Sequence, residues 1–174
     1  QEGVYEIVVT TTDNAGNTAQ NTYTVKIDTR APSIIVSPES SDGWINSPLN
    51  LTITVQNPAT PGADSELSLN NLYEYFLAPS DKTVTGGAKW TNYTSGSGIS
   101  LKPEKTGTYY LFVRRVRDNA GNISSSPGGE DREISGVVYH KYGPYRFDFT
   151  PPTLGILSMK KGSITVSIRA LFDI

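Results

Sequence analysis

A chain of 174 residues with 15 Lys and Arg against 17 Asp and Glu has a formal charge of −2, so it offers no broad basic field to nucleic acid or to an anionic membrane. It has no cysteine and a single histidine, His140; this excludes disulfides, thiolate catalysis and Cys-based zinc sites, and His140 reads as an ordinary strand or loop residue. No apolar run is long enough to insert in a bilayer, and the opening residues QEGVYEIVVTTT carry no targeting signal, as expected of a piece excised from a longer protein.

No segment repeats apolar residues at helical spacing, whereas short alternating or β-branched runs recur between clusters of Gly, Pro, Asn and Ser. The predicted strands are 4–12, 22–27, 33–37, 49–56, 72–77, 89–93, 99–101, 108–117, 134–140, 145–149, 154–157 and 163–171. Many short strands at this spacing predict an all-β sandwich or barrel. The Pro-, Gly- and Ser-rich stretches at 57–64, 86–87 and 124–129 have the composition of surface loops.

Two parts of the chain resemble each other. GVYEIVVTTTDNAGN, from Gly3 to Asn17, aligns with GTYYLFVRRVRDNAGN, from Gly107 to Asn122, and each is followed by a segment in which Asp precedes Pro by four residues: IDTRAPSI and FDFTPPTL. Asp118 lies 105 positions after Asp13, and Asp148 lies 120 after Asp28. These intervals mark one complete module over 28–150, a size typical of a β-sandwich. Residues 1–27 read as the last two strands of a preceding module and 151–174 as the first strands of a following one. Orphan strands expose unpaired edges, so the two terminal fragments are expected to pair with each other, by folding back or by joining a neighbouring chain head to tail.

Parity refines the alignment. Tyr5 and Asp13 are eight residues apart and share a strand face, whereas Tyr109 and Asp118 are nine apart and do not. A bulge at 114–116 would keep Tyr109, Leu111 and Val113 inward. These three, with Trp90, Ile53 and Val55, are the expected core. Tyr5 and Tyr109 stand two residues after a Gly and match the tyrosine corner, in which the hydroxyl bonds back to the preceding corner.

A strand ending in D-x-A-G-N, then a D-x-x-x-P junction, resembles the tandem bacterial immunoglobulin-like repeats of secreted and surface-anchored proteins, including adhesins. The segment KWTNYTSGSGISLKPEKTGTYYLFVRRVRDNAGN adds to the likeness. The resemblance implies an immunoglobulin-like β-sandwich, an extracellular location, adjacent modules of the same chain as partners, and a non-catalytic role as spacer or presenter of other domains. A carbohydrate- or host-protein-binding module is the alternative.

Two readings of D-N-A-G-N stay open. As a turn, Asp and Asn bond to nearby N–H groups and Gly16 and Gly121 take positive φ. As a metal site, Asp118 meets Asp28 of the linker, with Asp64 or Glu66 adding oxygen, a hard ligand set suited to Ca²⁺. No cofactor is otherwise expected.

Trp44, Trp90 and Tyr93, with Tyr73 and Tyr75, are candidates for a sugar-stacking face, against the plainer expectation of core packing. Arg114, Arg115 and Arg117 read as a solvated strand edge. Lys26, Lys89, Lys102 and Lys105 are the possible donors of a Lys–Asn isopeptide bond, and Asn50, Asn92 and Asn122 begin sequons. No pair of acids is marked as the donor and base of a glycosidase.

Overall fold

The structure, a computed structural model, describes residues 1–58, 62–63, 65–79, 89–134, 137–156 and 168–171. Among them there is no helix, and so none long and apolar enough to cross a membrane. The strands in chain order are β1 (Gly3–Thr12), β2 (Thr18–Ile27), β3 (Ser33–Ser37), β4 (Trp44–Ile45), β5 (Leu49–Gln56), β6 (Glu74–Ala78), β7 (Thr91–Asn92), β8 (Gly98–Leu101), β9 (Gly107–Arg114), β10 (Glu130–Ile134), β11 (Val137–Phe147), β12 (Thr153–Ile156) and β13 (Ile168–Leu171).

They form four sheets. The larger two are β10-β11-β9-β6-β7, with β4 parallel to β11 at one end, and β3-β5-β8. Both follow from alternation. Ile34 and Val36 of β3, Leu51 and Ile53 of β5, and Leu101 of β8 point to one side, while the residues between them are less buried. Leu111 and Val113 of β9 and Tyr142, Tyr145 and Phe147 of β11 point back, and all join one core. Two sheets closing on one core is a β-sandwich-like arrangement. Each such side chain contributes about 1.5–3 kcal/mol by leaving water. Of the expected core residues, Leu111, Val113 and Ile53 are fully buried, and Tyr109 and Val55 pack partly buried against them.

Trp90 belongs elsewhere. Phe112, Ala78 and Tyr139 form a second buried cluster on the outer face of the larger sheet, covered in part by Phe76, Trp90 and Tyr110. β9 is therefore buried on both faces, which explains its continuous apolar run.

The parity change expected at 114–116 occurs there, but not as a bulge in a continuous strand. β9 ends at Arg114, and Val113 and Val116, three positions apart, both enter the same core. The ladder irregularity lies instead in β11, where Tyr142 pairs with Leu111 and Tyr145 with Tyr109, so β11 carries one extra residue. Gly143 occupies it at φ 116°, and a Cβ there would meet the Tyr109 carbonyl at 3.1 Å. This keeps Tyr142 and Tyr145 on the same face.

Of the two expected pairings of the terminal fragments, folding back of one onto the other within the chain is not found. β1 pairs with β2 over ten residues and β12 with β13 over four, each as a separate two-stranded sheet. A local hairpin closes a short loop, whereas joining the fragments means ordering a long one. The arginine cluster also differs from expectation. β9 lies between β11 and β6 and is not an edge; Arg114 pairs with Glu74, and the Arg115 guanidinium holds the Ser124 carbonyl. Only Arg117 is exposed.

Candidate functional site

The D-N-A-G-N turns share their main bonds in both copies, and the first adds one from the Ala15 N–H to Asp13 Oδ1 at 2.9 Å. The Asp13 N–H donates to the Asn17 carbonyl at 2.9 Å and the Asp118 N–H to the Asn122 carbonyl at 3.1 Å. The Gly16 and Gly121 N–H groups return to the Asp13 and Asp118 carbonyls, at φ 87° and 93°. The Asn17 and Asn122 N–H groups donate to the Asp Oδ1 atoms at 2.9 and 2.8 Å, and their side-chain amides donate to Oδ2 at 2.8 and 2.7 Å. Asp thus accepts from the chain on both carboxylate oxygens, and Gly supplies the positive φ that other residues rarely adopt. The Asn17 amide and neighbouring N–H groups hold the Asp13 carboxyl below the usual carboxylate range.

Surroundings separate the copies. The first turn is exposed, whereas Asp118 is 2% exposed. The Asn122 amide makes a further bond, to the Asp28 carbonyl at 3.1 Å, and the Asn119 N–H reaches the Glu66 carbonyl at 2.9 Å. The second turn therefore meets the linker at Asp28.

The two linkers also repeat. Asp28 Oδ1 accepts from the Arg30 N–H at 3.0 Å, and Asp148 Oδ1 from the Thr150 N–H at 2.9 Å. The residue before each Gly-x-Tyr clamps the linker after it. Glu2 holds Arg30 at 3.1 Å, and Thr106 accepts from the Phe149 N–H at 3.1 Å. Both tyrosine hydroxyls bond back four residues, Tyr5 to the Gln1 carbonyl at 2.6 Å and Tyr109 to the Lys105 carbonyl at 2.9 Å. The difference lies on the far side of each linker. Asp28 also accepts at Oδ2 from the Ser65 N–H at 3.0 Å, but among the described residues no side chain reaches the Asp148 carbonyl. An open groove of about 800 Å³ lies beside this second linker, lined by Asn46, Pro48, Lys102, Glu104, Phe149 and Pro151.

The donor set at Asp28 and Asp118 does not suit a cation. The Asn122 amide nitrogen stands between the Asp118 carboxylate and the Asp28 carbonyl and donates to both, so the position a calcium ion would take is filled by N–H groups. Asp64 lies outside the described residues. Among the described residues no group of three or more His, Cys, Asp or Glu is placed to hold a metal.

The candidate sugar-stacking residues do not share a face. Tyr93 is 8% exposed, lies in the main core and meets Tyr73 edge-on; burial raises its hydroxyl pKa, and that hydroxyl has no partner among the described residues. Trp90 stacks on Tyr139 with ring centres 4.9 Å apart, in the outer cluster. Only Trp44, on β4, is an open ring at 55% exposure. Lys26, Lys89, Lys102 and Lys105 are all exposed, so none has the buried acid setting an isopeptide bond requires. Among the described residues Lys141 is the buried lysine; it pairs with Glu130 at 2.8 Å over the Tyr110 ring.

Sequence reasoning missed a network around His140. Its ring is fully buried, with Nδ1 2.7 Å from Asp131 Oδ1 and Nε2 3.1 Å from Ser124 Oγ. Burial lowers its pKa below the ordinary imidazole value, against the upward pull of Asp131. The neutral ring donates from Nδ1 to the carboxylate and accepts the Ser124 hydroxyl proton at Nε2. This is the bond order of a Ser-His-Asp relay, but Ser124 is fully buried and its Oγ already accepts from the Val116 N–H at 3.1 Å. The hydroxyl has no path to a substrate in this state. The signal for it was hairpin register, since Asp131 pairs with His140 across β10 and β11.

Comparison of the chain with protein-family models, curated proteins and solved structures finds no match. The repeated turn-and-linker junction is therefore the feature from which function is read.

Proposed function

We propose that residues 28–150 are one complete immunoglobulin-like module, flanked by parts of two others, in a tandem-repeat protein exported to a bacterial surface. Its work is mechanical: it extends and orients the domains joined to it and catalyses nothing. Adjacent modules of the same chain are its partners. The observation that carries this reading is the clasp of Asn122 on the Asp28 carbonyl, by which a turn of the central segment grips the linker entering it. Pro32 and Pro152 stiffen the two linkers further, because each fixes its own φ and restricts the residue before it.

A spacer needs a defined angle between its parts. Small-angle scattering of the dilute chain tests this: the wild type is expected to give a narrow distance distribution, and Asn122→Ala a broader one with the central sheet signal intact. Equal distributions for the two proteins count against the reading. The binding alternative keeps only Trp44 of its three candidate rings on an open surface. Saturable capture on a glycan array that is lost in Trp44→Ala would favour that alternative.

A further inference from the structure

We propose that Ser124, Ser125 and Ser126 are a seam that fastens β3 to the larger sheet, and that His140 is the catch by which acid opens this seam ahead of the core. Nothing in the seam requires that the chain be a spacer.

Alternation divides the three serines between two partners. Ser124 and Ser126 turn toward β11, where Ser124 Oγ lies 3.1 Å from His140 Nε2 and Ser126 Oγ donates to the Tyr142 hydroxyl at 2.9 Å. Ser125, between them, is bonded through its main chain to β3 and the residue before it. Its N–H donates to the Pro32 carbonyl at 2.8 Å, and its carbonyl accepts from the Ile34 N–H at 3.0 Å. The Tyr142 hydroxyl completes the seam by donating to the Ile34 carbonyl at 2.8 Å. β3 and β10 are each the end strand of their sheet, so the seam runs along two edges. Ser125 is exposed and Ser126 half-buried, and a segment with so little buried apolar surface opens at less cost than the sheets it joins.

Ser124 engages the catch. Its hydroxyl donates to the neutral Nε2, while its Oγ accepts from the Val116 N–H at 3.1 Å. A proton on Nε2 makes that nitrogen a second donor, and two hydrogens cannot share the gap. The hydroxyl proton then loses its acceptor at a residue with no exposure to water, and the Ser124 carbonyl is already held by the Arg115 guanidinium. The charges around the ring do not repair this. Asp131 of β10, at 2.7 Å, favours the charged ring, but its side chain is 54% exposed and its attraction is screened. Arg115, 3.8 Å from the same carboxylate, opposes the charge. Glu133, two residues along β10, is exposed; β3 and segment 123–126 contain no charged residue. Lys141 pairs with Glu130 beside Tyr110, on the opposite face of the sheet. The closed seam therefore disfavours a proton that an open one accepts, and burial holds the ring's pKa below the ordinary value despite Asp131.

Linkage sets the size of the effect. An opening that takes up one proton grows by up to tenfold per pH unit below the ordinary imidazole value of about 6.5. The chain has one histidine, and no other side chain ordinarily titrates between about pH 5 and 8. β3 continues from the linker that enters at Asp28, and Asn122 stands two residues before Ser124, so both sides of the clasp lean on the seam.

Amide hydrogen exchange followed by NMR between pH 8 and 5, each rate divided by its intrinsic rate, tests the seam. Protection of the Ser125 and Ile34 N–H groups is expected to fall by up to tenfold per pH unit below about 6.5, and at pH 5 to lie at least tenfold below that of Leu111 and Val113. His140→Gln, which stays neutral, is expected to hold seam protection constant across the range. Seam protection equal to that of β9 marks global unfolding alone and overturns the inference. Protection unchanged between pH 8 and 5, or a pH slope that survives in His140→Gln, overturns it equally. Where His140→Gln does not fold, the wild type decides by itself, because an onset near 6.5 belongs to its one imidazole.

Discussion

A single side-chain amide joins positions 94 residues apart, from Asn122 to Asp28. Leaving its partners without a donor costs about 1–3 kcal/mol where they are shielded from water. Asn122→Ala is therefore expected to lower the unfolding free energy by about that amount, and Asn17→Ala, in an exposed turn of the same bonding, by less than about 1 kcal/mol; denaturant titration of both variants measures the difference. His140 makes a second prediction. Its folded pKa lies below the ordinary imidazole value of about 6.5, because its ring is buried, so the unfolded chain takes up the proton first. The stability this neutral ring contributes is fully present above about 6.5 and is lost as pH falls through the lower folded value. Melting temperatures measured between pH 8 and 5 should fall toward the acid side, and His140→Gln should flatten that part of the slope.

Elements were legible wherever alternation met a clear turn. The predicted 33–37 and 49–56 coincide with β3 and β5, because Leu51 and Ile53 alternate with Asn50, Thr52 and Thr54, and Ile34, Ile35 and Val36 form a short β-branched run between two serines. β10 was missed because Glu130, Asp131, Arg132 and Glu133 carry the charges of an edge strand and no apolar face. β4 was missed for its length of two residues, and the single strand β11 was divided in two by Gly143 and Pro144, which mark an irregularity inside it. The tyrosine bonds and both turns followed from residue type and spacing, since each is local. The His140 network and the Asn122 clasp depend on register and on which loops share an end of the sheets. The first was invisible in sequence; of the second only the meeting of Asp118 with Asp28 was readable, not the amide that joins them. A hairpin with neither face covered is marginal in water. Amides of β1 and β2 are thus expected to exchange with deuterium much faster than those of β9 and β11 in the dilute chain, and comparable protection would show that the hairpin is already covered.

At the scale of the whole molecule, the chain is a central pair of sheets with a two-stranded sheet beyond each linker. If calcium joined the first junction with the millimolar affinity of extracellular sites, about 10 mM would stabilise the fold by roughly 1–1.5 kcal/mol. With the Asn122 amide in that place, calcium at this concentration is expected to leave the melting temperature unchanged, and a rise of several degrees in a calorimetric scan would reverse the assignment.

The same geometry decides how the central segment meets tension. Its first strand, β3, begins at the end where Asp28 enters, and its last, β11, finishes at the end where Asp148 leaves. A pull on the two linkers runs along these strands and loads their neighbours in shear: the five-residue ladder of β3 with β5, the Ser33 to Ser125 bridge, and the ladder of β11 with β9. Bonds sheared together yield together, whereas bonds peeled from one end yield in turn. A sandwich of ordinary thermal stability drawn in this direction resists force beyond what its melting temperature suggests.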